Sequence, residues 1–326
     1  MNNVVENLRE FNRLVPVLAA WVLAVAHCSC SIEDTRDLCC DSGNAMRYSY
    51  RPYGAEAFDD YIGTLRHLLF DAGGDFLGEL PPGENLKYQP LALGQGEYTM
   101  VTVANASDMT ILNHTDISHI GELTLSAGAT HDPEGVYRAN TDELYWGVKR
   151  FSVSAMGLAM DVSRLSRAIP VTYMNNIHCH LKIKVEWSNM PEHIGEYAME
   201  LDGVPDRYSL HPERSGEAGG FTVPPGIRTG THRIRVPLRS RELDGEFVTL
   251  RYSNDCIPVF RLFFDSEKVS PDIDLARAFD TWGWRPSDTH VQNYEILIQM
   301  NSDGSADIFP DIEASVADWV NGGSFN

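Results

Sequence analysis

Past residue 45 the chain alternates apolar and polar positions with a period of two. In AMRYSYRPY, Met46, Tyr48 and Tyr50 fall on one face and Arg47, Ser49 and Arg51 on the other. That alternation predicts a half-buried strand. TLRHLLFD (64–71) and FLGEL (76–80) flank AGGD, so Asp71 to Asp75 reads as a hairpin turn. GEYTMVTVAN (96–105), ELTLSAG (122–128), ELYWGVKRFSV (143–153) and GLAMDVSRL (157–165) continue the style, each bounded by Gly, Asp, Asn or Pro. HCHLKIKVEW (178–187), EYAMELDG (196–203), HRIRVPLRS (232–240), EFVTLRYSN (246–254) and PVFRLFF (258–264) repeat it in the second half. VQNYEILIQM (291–300) predicts a long strand, turned by NSDGSAD (301–307) into the last strand region, 307–320. Helical pattern is scarce. AEAFDDYIG (55–63) allows one or two turns, and SPDIDLARAFDTW predicts a helix over 271–282, with Ser270 as N-cap and Pro271 at its first position.

Strands at this spacing predict an all-β fold of two tandem β-sandwich domains, with one short helix in the second. The 326 residues fit two domains. The pattern breaks at SRAIP, where Pro170 interrupts it. The boundary is therefore set at residue 168, giving an N-terminal sandwich over 46–168 and a C-terminal one over 169–326.

The first 45 residues read differently. Leu14 to Ala26 is apolar and uncharged, is preceded by Arg9 and Arg13, and contains Pro16. It is shorter than the roughly 20 residues a membrane-spanning helix needs. This is the order of a secretory signal, although Glu6 and Glu10 offset the arginines. The run ends directly in cysteine, as AHCSC. That resembles a lipobox, where the cysteine thiol takes a diacylglycerol and becomes the first mature residue. Cys30, with the small Ser29 before it, is the favoured lipidation site; Cys28 is the alternative. Residues 1–29 are then a lipoprotein signal peptide, and 30–45 an acidic tether opening with SIEDTRD. Two or three acyl chains anchor stably where one holds only marginally. The pairing state of Cys39, Cys40, Cys179 and Cys256 stays open, since spacing alone does not fix a disulfide.

The formal net charge of −20 argues against nucleic acid as a partner, because phosphate binding needs a basic face. No GxSxG elbow, HExxH helix or Walker loop occurs, so an enzyme is not expected. His178-Cys179-His180 places two histidines on one strand face and the cysteine on the other. With His193 and His232 not placed beside them, it predicts two exposed histidines rather than a metal centre. Asn301 to Asp307 has its glycine fourth, not sixth as a calcium loop needs, and predicts a hairpin turn. Asn105-Ala106-Ser107 and Asn113-His114-Thr115 have the form of glycan acceptors, which a bacterial lipoprotein would not use. Trp282 and Trp284 could stack on a sugar ring, against core packing at the helix end.

Several stretches together resemble the fimbrial-anchor lipoproteins of the Bacteroidales, relatives of the fimbrillins. They are the lipobox with its acidic leader to Cys39 or Cys40, the opening MRYSYRPYGAEAFDDYIGTLRHLLFDAGGDFLGE, GEYTMVTVANAS, and ADWVNGG near the end. Ala57-Phe58, Phe70-Asp71-Ala72-Gly73-Gly74 and Gly96-Glu97-Tyr98-Thr99 match the family's short motifs. The match covers about the first hundred residues past the leader and is diffuse afterwards. The resemblance implies transthyretin-like sandwiches in a non-enzymatic surface lipoprotein of the outer membrane. Its role would be anchor or accessory subunit of an adhesive fimbria. It implies a fimbrillin shaft subunit as partner and no cofactor beyond the covalent lipid. Fimbrillins assemble by strand addition, which joins main chains across an open edge. By analogy the candidate strand-exchange segments are 46–52 and 307–320. In the latter, Ile312, Ala314 and Val316 share an apolar face, Trp319 lies opposite, and Pro310 confines earlier pairing to an edge. The alternative function is a glycan-binding surface lipoprotein using Trp282 and Trp284.

Overall fold

A computed structural model describes residues 45–154, 157–159, 169–210 and 228–310. The expectations for the leader, including Cys28, Cys30, Cys39 and Cys40, lie outside these residues. So do those for Ile312, Ala314, Val316 and Trp319. In chain order the first elements are β1 (Ala45–Ser49), α1 (Phe58–Tyr61), β2 (Leu65–Asp71), β3 (Phe76–Leu80), β4 (Tyr88–Pro90) and β5 (Gly96–Ala104). Then come β6 (Thr110–Leu112), β7 (Thr124–Ala127), β8 (Ala129–Asp132), β9 (Gly135–Arg138), β10 (Tyr145–Ser154), β11 (Gly157–Ala159), β12 (Val171–Tyr173) and β13 (Asn175–Asn176). The rest are β14 (His178–Trp187), β15 (Glu196–Ser209), β16 (Arg228–Pro237), β17 (Glu242–Leu250), β18 (Val259–Phe264), β19 (Glu267–Lys268), β20 (Ile273–Asp274), α2 (Leu275–Trp282), β21 (Gln292–Met300) and β22 (Ala306–Pro310). Among the described residues the fold is all-β, as the alternating pattern predicts, with two short helices.

Four sheets carry the described residues. A three-stranded sheet has the order β12-β1-β4, and a six-stranded sheet runs β11-β10-β5-β2-β3 with β13 added on β10. A four-stranded sheet runs β17-β14-β21-β22, and a nine-stranded sheet is built on β19-β18-β15-β16-β9-β8. Pairing passes across the region of residue 168 in both directions. β12 pairs in parallel with β1, and β13 pairs antiparallel with β10. β7 and β9, earlier in the chain, pair with β15 and β16.

The period of two builds the cores. On β14, Leu181, Ile183 and Val185 are fully buried, while Lys182 is exposed and Lys184 half-buried. They meet Phe247, Leu262, Ile296 and Ile298 in the core between the four- and nine-stranded sheets. β2 behaves differently, because both of its faces are covered. Leu65 and Leu69 enter the core shared with Met46, Tyr48, Phe58 and Met100. Leu68 and Phe70 enter another, with Val101, Val103, Leu125 and Trp146. That is why LRHLLFD and TMVTVA read as near-continuous apolar runs.

Local chemistry fixes the turns. Asp71 Oδ1 accepts from the amides of Gly73 (2.8 Å) and Asp75 (2.9 Å), closing the β2–β3 turn, and Gly74 takes φ 91° there. Asn301 to Asp307 is a hairpin turn between β21 and β22: Asn301 N donates to Ser305 O, and Asp303 Oδ1 accepts from Ser305 N. The helix of the second half starts later than its sequence suggests. Ile273 is buried and pairs with Phe260, so the chain stays extended through Asp274. Asp274, another favoured N-cap residue, then accepts from Arg277 N at 3.0 Å. Ser270 Oγ instead accepts from Leu262 N at 2.9 Å.

Candidate functional site

An all-β fold can meet partners at its open strand edges and at its exposed clefts. The outer edge of β22 carries no partner strand among the described residues, and β22 ends the four-stranded sheet. Ile308 packs against the core from this strand, whereas Phe309 is 45% exposed. Pro310 pairs with Ile296 at the last described position, where the missing N–H of proline costs least. β1, which begins the other candidate segment, is held between β12 and β4. Its Met46 and Tyr48 are fully buried. The strand stops at Ser49 because the Glu56 carboxylate gathers Ser49 Oγ (2.6 Å) and the Tyr50 amide (3.2 Å).

The two tryptophans part company. Trp284 stacks on Tyr294 with ring centres 4.9 Å apart, and Trp282 meets Trp284 edge-on at 4.8 Å. Both are half-buried against the second-half core. Gly283, at φ 73°, ends α2 and lets Trp284 N donate back to Phe279 O. Trp284 lines an open cleft of about 620 Å³ with Arg277, Asp280, Arg285, Asn254 and Asp255, and Trp282 does not. Arg285 donates to Asp280 across 2.7 Å there. A tryptophan face beside charged and amide groups is chemistry that suits a sugar.

The histidines are not what the sequence suggests. His178 is buried, 3% exposed, and only His180 reaches the surface. The reason is that His178 sits where β14 leaves the first half, under Leu144 and Tyr145. Burial pushes its pKa down to about 4 against a weaker lift from the Leu144 carbonyl, so it is neutral. His232 is fully buried on β16, where burial likewise lowers it to about 4, and His193 stacks on Phe264. The residue that joins His178 and His180 is Glu143, on the loop before β10. Sequence spacing carries no sign of it, since it comes 35 positions earlier. Both Asn of the acceptor-like tripeptides are spent on structure. Asn105 Oδ1 accepts from Gly63 and Thr64 amides and its Nδ2 donates to Tyr61 O and Glu143 O. Asn113 Oδ1 accepts from Thr124 N. Cys179 is buried and Cys256 half-buried, both as free thiols. No described helix is long and apolar enough to cross a membrane.

Known folds place this arrangement. The fold is similar to a candidate polysaccharide-binding protein of Bacteroides thetaiotaomicron, at TM-score 0.60 and 13% identity over 82% of this chain and 95% of that one. It is similar to a candidate adhesin of the same organism, at TM-score 0.57 and 14% identity over 82% and 95%. The fimbrial anchor protein Mfa2 of Porphyromonas gingivalis aligns at TM-score 0.54 and 11% identity over 82% and 96%. At such identities these likenesses establish the fold alone. No curated protein sequence matches the chain. The family model for fimbrillin-A associated anchor proteins Mfa1 and Mfa2 matches residues 40–321, most of the chain, so this chain belongs to that family.

Proposed function

We propose that the chain is a lipid-anchored fimbrial subunit, displayed on the outer membrane, that grips a fimbrillin shaft by strand addition. The family match over residues 40–321 carries this reading. The thiol of Cys30, or of Cys28, holds the lipid; a two- or three-chain anchor resists tension that one chain would not. At the other end, β22 offers an edge to which a partner strand can add its main-chain hydrogen bonds. Ile312, Ala314 and Val316 follow directly in sequence with the alternation such a strand uses, and Trp319 lies on the opposite face. No step of this work needs a catalytic group or a cofactor.

The test is fractionation of cells making the Cys30→Ala and Cys28→Ala variants. One of them loses radiolabelled palmitate and moves from the membrane to the soluble fraction, while shaft subunits co-purify with the detergent-extracted native chain. Unchanged fractionation of both variants overturns the anchor. A second reading rests on the cleft beside Trp284: a glycan ligand. Trp284→Ala then abolishes retention on a polysaccharide column, and Trp282→Ala, outside the cleft, weakens it less. Equal retention of native chain and Trp284→Ala removes the glycan reading.

A further inference from the structure

Three acceptor atoms converge where the two halves of the fold meet. Leu144 O can only accept a hydrogen bond, so at 2.9 Å the Nδ1 of His178 must be the donor. Its Nε2 then carries the lone pair, met by Asn176 Nδ2 at 3.1 Å. The Nδ1 of His180 lies 2.9 Å from Glu246 Oε1, again an atom that only accepts. The Nε2 of His180 lies 3.2 Å from Glu143 Oε1. Either a proton on that nitrogen or a metal ion can join it to the carboxylate oxygen it faces. The ligand atoms of Glu143, His178 and His180 all lie within 4.8 Å of one another. A tetrahedral zinc at about 2.0–2.1 Å from each ligand sets them roughly 3.4 Å apart.

We propose that His178, His180 and Glu143 bind one divalent transition-metal ion of the zinc type. His180 offers Nε2, Glu143 supplies the carboxylate oxygen that offsets half of the ion's charge, and the Nε2 of His178 reaches the ion by giving up the hydrogen bond it accepts from Asn176 Nδ2. Imidazole with carboxylate is a donor set that zinc accepts. The outer shell is already in place. Leu144 O and the Glu246 carboxylate each hold a ligating ring through its Nδ1–H, the arrangement that fixes tautomer and orientation in metal sites. Glu143 is carried on a pinned segment. Asn105 Nδ2 donates to its carbonyl at 3.1 Å, Thr141 N donates to Val248 O at 2.7 Å, and Asn140 bonds both Glu246 O and Val248 N. Water completes the coordination, since the Glu143 side chain is half exposed.

The placement gives the ion a mechanical role. Glu143 leads into β10 of the six-stranded sheet, and both histidines sit on β14 of the four-stranded sheet. The ion therefore ties one sheet to the other at the junction of the halves. A load applied along the chain would have to break ligand bonds before that junction opened.

The test uses the full chain in detergent, stripped with a chelator, then titrated with zinc against a chromophoric competitor and with cobalt as a spectroscopic probe. One equivalent binds, the melting temperature rises with free zinc, and cobalt gives the d–d bands of nitrogen and oxygen ligation. Glu143→Gln, at an exposed position that does not threaten folding, weakens the affinity at least tenfold, and His180→Asn does so too. Three results each overturn the proposal: no stoichiometric binding, affinity unchanged in Glu143→Gln, or thiolate-to-cobalt charge-transfer bands that place the ion on cysteines. If the melting temperature ignores zinc, a proton shared by His180 with Glu143 and Glu246 fills the gap instead, and the metal site is refuted. Membrane fractionation does not depend on any of these outcomes, so this inference and the anchor reading fail separately.

Discussion

At the scale of single residues, Gly74 explains why Phe70-Asp71-Ala72-Gly73-Gly74 has its form. The Asp71 carboxylate closes the turn by accepting two amides, which forces the following chain into a tight reversal. Gly74 sits at φ 91°, and a Cβ there would come 2.6 Å from His119 Nε2 and 2.9 Å from Ile120. Its carbonyl accepts from Ile120 N at 2.8 Å, so the turn cannot swing away to make room. Gly74→Ala therefore meets both backbone strain and a clash. The expected loss is about 1–3 kcal/mol, read as a lower urea midpoint with an unchanged slope. Gly304, also at positive φ (84°) but with nothing within 4 Å of its Cβ position, supplies the control: Gly304→Ala bears the strain without the clash and loses less. Equal losses at the two sites would show that the His119 contact contributes nothing.

Among the elements, β14 states its own rule most clearly. Ile183 is fully buried and its neighbour Lys182 is exposed, paired with Glu295 at 3.2 Å. Ile183→Ala is expected to cost about 2–5 kcal/mol through lost burial and a cavity. Lys182→Ala is expected to cost within about 0.5 kcal/mol, because an exposed ion pair contributes little. Denaturant titration of both variants checks it; comparable losses would mean that alternation is not what places this strand. The same alternation is why β14, β17 and β21 were legible from sequence. Helix onset was not, because Ser270 and Asp274 are both good caps, and only the pairing of Ile273 with Phe260 chooses between them. Partner choice was hidden too. Nothing local to Val171-Thr172-Tyr173 says that it will lie parallel to Arg47-Tyr48-Ser49. The Glu143 and histidine cluster stayed hidden for the same reason: period tells which way a side chain points, not which distant loop comes to meet it.

At the scale of the molecule, the three buried histidines among the described residues shape how stability follows pH. His67, on β2, is 1% exposed, shares a hydrogen bond with Tyr48 Oη at 3.1 Å, and stacks on that ring. Burial lowers it to about 4, as it does His178 and His232. In the unfolded chain each returns to about 6.5. Between those values the unfolded state binds more protons than the folded one, so stability rises with pH across the window. The contribution is present above pH 6.5 and drains away as pH falls toward 4, on the order of 3 kcal/mol for each histidine. Lower still, Glu79 adds a loss, since Arg66 at 2.9 Å holds its carboxyl below the usual range. Urea midpoints measured with chelator present, so that no metal competes for His178, should fall steeply from pH 7 to pH 5. In His67→Leu the fall should be about a third shallower, because one of the three protonations is gone while Tyr48 Oη keeps Thr102 as a partner. A midpoint that stays flat from pH 7 to pH 5 would mean that water reaches these rings in the folded chain.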